Sequence, residues 1–388
     1  MIQERLNSLR TLMRERGMDA YLVPTADFHE SEYVGDYFKC RSFMTGFTGS
    51  AGTLVVTLED AALWVDGRYF VQAGNQLKGS SVRLMKMGEE GVPEISDFII
   101  DAVKEGGCLG FDGRVVDSFT GLELEKRLDE KGASVKYQED LIDQVWTDRP
   151  ALSARPVWIL KEEFAGKSAS EKLSDLRGEM KKAGASVHVL TSLDDIAWLL
   201  NIRGDDVRCN PVVLSYLAVT GTEAFLFINP QVLDQETEAY LKGLGITLKP
   251  YDEIYEYIKT LQNEKVLLET ARVNYAIIRG LDSSNEIINQ MNPTVLAKAV
   301  KNPVEIENMK KAHIKDGVVM ARFACWLKKN IGKIPMDEIS LEKKLDSMRF
   351  ETEGNLGLSF DTISAYGANA AMCHYSATEE TNTPVESR

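Results

Sequence analysis

Cysteine is scarce: five residues in 388 (Cys40, Cys108, Cys209, Cys325 and Cys373), odd in number, widely scattered and without a Cys-x-x-Cys pair. That pattern excludes a disulfide framework or a thiolate zinc site and fits a reducing compartment. Histidine is rarer, at four residues, and no His-Glu-x-x-His occurs, so a helix-borne zinc site is excluded. No apolar run is long enough to span a bilayer. The opening Met1-Ile2-Gln3-Glu4-Arg5 carries charge where a signal peptide needs an apolar core. Positive charge is in deficit, with a net charge of −14. Nucleic-acid and anionic-membrane surfaces both need a basic footprint, so neither partner is expected. What these absences leave is a cytoplasmic globular protein. Its 44% apolar content can fill several cores, and its length predicts two or three domains.

The chain repeats itself. Ile2, Leu6, Leu9, Leu12 and Met13 have helical spacing, and Gly17 follows as a C-terminal stop. Ala20-Tyr21-Leu22-Val23 reads as a buried strand closed by Pro24. Gly52–Thr57 and Ala61–Val65 flank Glu59-Asp60 as a hairpin. Leu109–Asp112 is a short strand, and Phe119–Leu128 a helix. The same order then returns. Leu173, Leu176 and Met180 mark a helix with a capping-box signal at Ser168 and Glu171, and Gly184 ends it. Val187–Leu190 is the strand, Pro211–Leu217 and Ala224–Ile228 the hairpin, and Lys265–Glu269 the later strand. Each copy stops at a proline, Pro150 or Pro303. The expected organisation is α/β, with domains at 1–150 and 151–303.

After Pro303 the pattern changes. Val304–Lys329 reads as a long helix and Met336–Arg349 as a second. Leu358–Tyr375 then reads as strand, glycine turn, strand. Residues 304–388 thus look like the opening of a third domain. On the second strand, alternation would place Met372, His374 and Ser376 on one face and Cys373 and Tyr375 on the other.

Several stretches carry a resemblance that covers nearly the whole chain. They are His29-Glu30-Ser31-Glu32-Tyr33, Gly46-Phe47-Thr48-Gly49-Ser50-Ala51-Gly52-Thr53, Trp64-Val65-Asp66-Gly67-Arg68-Tyr69-Phe70 and Trp146-Thr147-Asp148-Arg149-Pro150 in the first repeat. Leu193–Gly204 and Cys209-Asn210-Pro211-Val212 follow in the second. Lys298–Glu305, Ala312–Asp316 and Ala370-Ala371-Met372-Cys373-His374-Tyr375 come last. In this order they resemble three-domain Xaa-Pro aminopeptidases of the creatinase/prolidase family. The resemblance implies two tandem N-terminal-type domains, each a mixed sheet with helices on both faces, and the beginning of a pita-bread α+β catalytic domain. It implies hydrolysis of the bond before a proline at the second position of a peptide, two divalent metal ions (manganese) and a homodimer. It also implies that the metal ligands lie beyond the His374 segment. No metal ligand is therefore assigned in this chain, no metal is expected in it, and the chain alone is expected to be inactive. The rival is a non-catalytic binding or scaffolding protein on a peptidase-like fold. A prolidase is disfavoured, because those enzymes carry a single N-terminal domain.

By the same resemblance His374 is the catalytic and substrate-contacting histidine, and Arg41 a second substrate contact. The residues alone favour a hydrogen-bonded, partly buried structural histidine at position 374. The group His29, Glu30, Glu32 and Asp36 could bind metal but reads better as a domain–domain contact. Arg68 reads as a structural partner of a carboxylate, and His188 and His313 as structural. The Gly46–Thr53 loop lacks the lysine and spacing of a phosphate loop, so tight turns explain its glycines. Asn201–Asp206 fits either a cleft wall or an ordered turn.

Overall fold

The computed structural model describes residues 1–387. The chain folds as two compact units: Met1–Lys161 with Lys167–Val300, and Glu162–Gly166 with the chain from Lys301 onward.

The first unit holds two six-stranded mixed sheets. The first is built from β1 (Ala20–Pro24), β2 (Thr53–Thr57), β3 (Ala61–Val65), β4 (Arg83–Lys86), β5 (Cys108–Gly110) and β6 (Ser134–Lys136). Their order is β4-β3-β2-β1-β5-β6. A two-stranded ribbon pairs β7 (Trp158–Ile159) with β9 (Ile202–Arg203) around β8 (Val187–Leu190). The second sheet adds β10 (Ser215–Thr220), β11 (Ala224–Ile228), β12 (Ile246–Lys249), β13 (Lys265–Leu268) and β14 (Glu286–Asn289), in the order β12-β11-β10-β8-β13-β14.

The two orders superpose strand for strand. In each sheet the central strand pairs antiparallel with the hairpin, Leu22 opposite Val55 and Ala218 opposite Val189. On its other side it pairs parallel with the later strand, Tyr21 opposite Gly110 and Val187 opposite Val266. β1 and β8 are covered on both faces. This is why they read as unbroken apolar runs and not as alternating ones. The helix Ile2–Glu15 closes with Gly17 at φ +65°, which glycine enters without a Cβ clash. The capping box expected at Ser168 is formed, with Ser168 accepting from the Glu171 N–H and Glu171 accepting in return.

The sheets meet along the segments that follow β5 and β13. The Tyr275 N–H donates to Val116 O (2.7 Å), the Ser118 N–H to Val273 O (2.8 Å) and the Ala276 N–H to Gly113 O (2.8 Å). Asp117 and Asn274, which bridge antiparallel, are the N-caps of equivalent helices, Ser118–Asp129 and Tyr275–Gly280. A Cβ on Gly121 would fall 2.2 Å from the Tyr275 ring, so this approach requires glycine.

The second unit holds a 28-residue helix, Pro303–Asn330, and a 13-residue helix, Glu338–Phe350. Asn302 caps the first by accepting from the Val304 and Glu305 N–H groups, with Pro303 at the first helical position. The helices pack through Val319, Leu345 and Met348, with Phe323 and Trp326 beside them.

The strands expected within Leu358–Tyr375 do not form. That stretch is irregular apart from a 3-10 turn at Gly367–Ala371. The physical reason is pairing. A strand needs a neighbour for its N–H and C=O groups, and among the described residues this unit supplies only the isolated bridge Asp337–Pro384. Leu356, Phe360 and Ile363 accordingly remain exposed.

Candidate active-site segment

His374 lies on the irregular segment that folds back over the start of the helix Glu338–Phe350. The expected two-face alternation is absent: Cys373, His374 and Ser376 are all exposed, and only Tyr375 is buried. One buried carboxylate gathers much of the segment. Asp337 caps the helix, accepting from the Ser340 N–H (2.7 Å), and this places Glu338 at the first helical position. A negative charge is favoured there by the helix dipole. Glu338 has no exposed surface. Its two oxygens accept from the Tyr366 N–H (2.5 Å), the Tyr375 hydroxyl (2.7 Å), the Thr383 N–H (3.1 Å) and the Asn369 amide (3.2 and 3.1 Å).

Backbone bonds complete the fold-back, from the Glu338 N–H to Thr383 O and from the Val385 N–H to Met336 O. Burial alone would raise the Glu338 carboxyl. The bonds from Tyr375, Tyr366, Asn369 and Thr383 outweigh it and hold the group below the ordinary carboxylate value. Burial also pushes the Tyr375 phenol up, so its proton stays in place to be donated. Nothing in local spacing announced Glu338, because its partners lie 28 to 45 residues away. The legible signal was Asp337-x-x-Ser340, a cap.

Arg41 lies in the other compact unit, on the short helix Cys40–Thr45, and is 3% exposed. Its Nε donates to Thr25 Oγ1 (2.9 Å), its Nη1 to Phe47 O (2.5 Å) and its Nη2 to Gly49 O. Burial lowers the guanidinium to about 10. The Gly46–Thr53 loop therefore turns the carbonyls of Phe47 and Gly49 toward a cation, the opposite of a phosphate cradle, which presents N–H groups.

The remaining candidates are placed as follows. His29 is 1% exposed and joins the two sheets: its Nδ1–H donates to Thr191 O (2.9 Å), and its Nε2 accepts from the Tyr251 hydroxyl (2.5 Å). Burial lowers its pKa and keeps it neutral. His188, fully buried in β8, donates from Nδ1 to Leu267 O (2.9 Å), and burial lowers it as well. Arg68 pairs with Asp66 at 2.8 Å. His313 bonds the carbonyl of Met309 on its own helix, while Asp316 pairs with Arg349. Asp206 lines a recess of about 560 Å³ with Leu214, Val232 and Tyr251. Its oxygens accept from the Leu214 and Arg155 N–H groups, so it also orders the turn. Among the described residues no group of three or more His, Cys, Asp or Glu side chains is arranged to hold a metal ion.

Comparison with known proteins covers the chain end to end. Residues 5–145 and 148–305 each match the creatinase/prolidase N-terminal domain, and residues 307–387 match metallopeptidase family M24. A probable Xaa-Pro aminopeptidase P of Chaetomium globosum is 40% identical, over 96% of this chain and 62% of its own length. Xaa-Pro aminopeptidase 1 of Dictyostelium discoideum is 36% identical, over 99% and 63%. Among solved structures, the X-prolyl aminopeptidase of Caenorhabditis elegans, described as a cytosolic enzyme with a di-nuclear active site, matches with a TM-score of 0.94. It is 36% identical and covers all of this chain and 66% of that one. The chain thus spans a little under two thirds of the length of these relatives.

Proposed function

Because the chain belongs to the creatinase/prolidase family of M24 metallopeptidases, we propose that it is the N-terminal part of an Xaa-Pro aminopeptidase. The whole enzyme is proposed to release the first residue of peptides whose second residue is proline. The observation that carries this reading is the 40% identity to a probable Xaa-Pro aminopeptidase P over 96% of the chain, beside a metallopeptidase M24 match over residues 307–387 that includes His374. A cytosolic homodimer working with two divalent metal ions, manganese in particular, belongs to the same proposal. No step through a metal is assigned to this chain, because its described residues offer no ligand set. The chain alone is therefore proposed to be inactive.

The substrate bond explains why a dedicated site is needed. An Xaa-Pro amide has no N–H on the proline side, and the ring fixes φ, so a protease that grips that N–H fails. His374 is the residue proposed to act on it. An exposed imidazole can donate an N–H to the substrate carbonyl oxygen, where negative charge grows as the carbonyl becomes tetrahedral. Arg41 belongs to the same proposal as a second substrate-binding residue, although in its own unit its fork is taken up by Thr25 and the carbonyls of Phe47 and Gly49.

The test is His374→Gln in a version of the chain continued to the length of its relatives. Turnover should fall about 100-fold or more, the usual scale for losing a transition-state donor, with metal content unchanged. Unchanged turnover would remove His374 from the chemistry.

A further inference from the structure

The His374 segment lacks the ladder that would normally fix a catalytic side chain. From Tyr366 to Thr383 there is one 3-10 turn and no strand. A loop of this length without such support is expected to be mobile, and a mobile donor loses most of its value in catalysis. The structure substitutes one buried charge. Four donors spread over 18 residues, Tyr366, Asn369, Tyr375 and Thr383, converge on the two oxygens of Glu338.

Asn369 ties the cluster to itself as well. Its amide nitrogen also lies within reach of the Tyr375 hydroxyl (3.0 Å), Thr381 O (3.2 Å) and Thr383 Oγ1 (3.0 Å), so its two hydrogens are shared among these acceptors and Glu338. Tyr375, 6% exposed, is the covalent neighbour of His374, and its N–H donates to Met372 O (3.3 Å). The histidine therefore sits inside the turn closed by the Tyr375 N–H and Met372 O, next to a tyrosine held by Glu338.

We propose that Glu338 is the positioning residue for His374: its buried carboxylate clamps residues 366–383 and, through Tyr375, sets where the imidazole is presented. What His374 does with that position rests on the aminopeptidase reading, whereas the clamp itself does not. Glutamine is a poor replacement. Its amide group would turn N–H donors toward the N–H of Tyr366 or Thr383, and a buried donor facing a donor is unsatisfied. Tyr375→Phe is the milder probe. It keeps the ring and removes only the hydroxyl.

The experiment uses the chain's four histidines, few enough to resolve in a ring 1H–13C spectrum. In Glu338→Gln and in Tyr375→Phe the His374 signal should shift and broaden, with His29, His188 and His313 unmoved. In the version continued to the relatives' length, Tyr375→Phe should lower kcat about 10-fold or more, the scale at which residues supporting a catalytic group act. KM, metal content and folded fraction should stay unchanged. A His374 signal that stays put in both variants overturns the proposal, as does an unaltered kcat. If the longer wild-type protein cleaves no Xaa-Pro peptide, the peptidase reading fails, and the spectra still decide the clamp.

Discussion

Arg41 carries a full positive charge into the interior of the first sheet domain, and its surroundings explain how the fold tolerates it. Three acceptors in fixed directions receive its planar fork, and the Phe47 ring lies beneath it, 4.8 Å from the guanidinium carbon to the ring centroid. Arg41→Ala should destabilise the first unit by about 2–4 kcal/mol, because buried carbonyls lose a charged donor and a void opens. Arg41→Lys should recover only part of this, since a single ammonium cannot match the fork. Urea unfolding followed by tryptophan fluorescence checks both. A wild-type midpoint for Arg41→Ala would refute the anchoring role.

The roles of Arg68, His188 and His313 were readable from sequence because each partner is local or the setting is an apolar strand. That of Glu338 was not readable, since its partners are assembled only by tertiary folding; His29 was readable as a domain–domain contact, but its partners Thr191 and Tyr251 were not.

Among elements, the central strands and hairpins were legible and the edges were not. β4, β6, β12 and β14 are three or four residues long and only partly buried, so they show no long apolar run. Short polar edges are a common defence against pairing with other chains, and that defence hides them from a hydrophobic pattern. The opposite error occurred at Leu358–Tyr375, where strand-like residues lack a pairing partner among the described residues.

One N-terminal cap was read from sequence, the capping box at Ser168 and Glu171. Asn302 caps the long helix and also donates to Ala165 O (2.8 Å), which ties the helix Glu162–Ala165 to it. Asn302→Ala should cost the second unit about 1–2 kcal/mol. It should speed hydrogen exchange at Val304 and Glu305, whose N–H groups lose their acceptor. Exchange as slow as in the wild type at those amides would show the cap to be dispensable.

Across the first unit, the two sheets are joined by equivalent segments, N-cap against N-cap. This is the arrangement expected when two copies of one fold meet through the same surface. It supports duplication better than composition could. The junction also carries a pH dependence. His29 and His188 are buried and neutral, with folded pKa values lowered from the ordinary 6.5. The unfolded chain therefore binds more protons than the folded one below about 6.5. Their contribution to stability is present above that pH and is lost as pH falls toward the lowered values. Thermal unfolding between pH 7.5 and 5 should show a falling midpoint, and His29→Gln should flatten part of the slope. A midpoint constant across that range would contradict the neutral, buried assignment.

The account as a whole turns on one claim, that this chain is the substrate-side and scaffold portion of an Xaa-Pro aminopeptidase. The direct measurement is release of the N-terminal residue from an Xaa-Pro-Yaa peptide with added manganese. It compares this chain with a version continued to the length of its relatives. The account predicts release by the longer protein alone. Release by this chain would contradict the proposal that it is inactive alone, and release by neither would contradict the peptidase assignment itself.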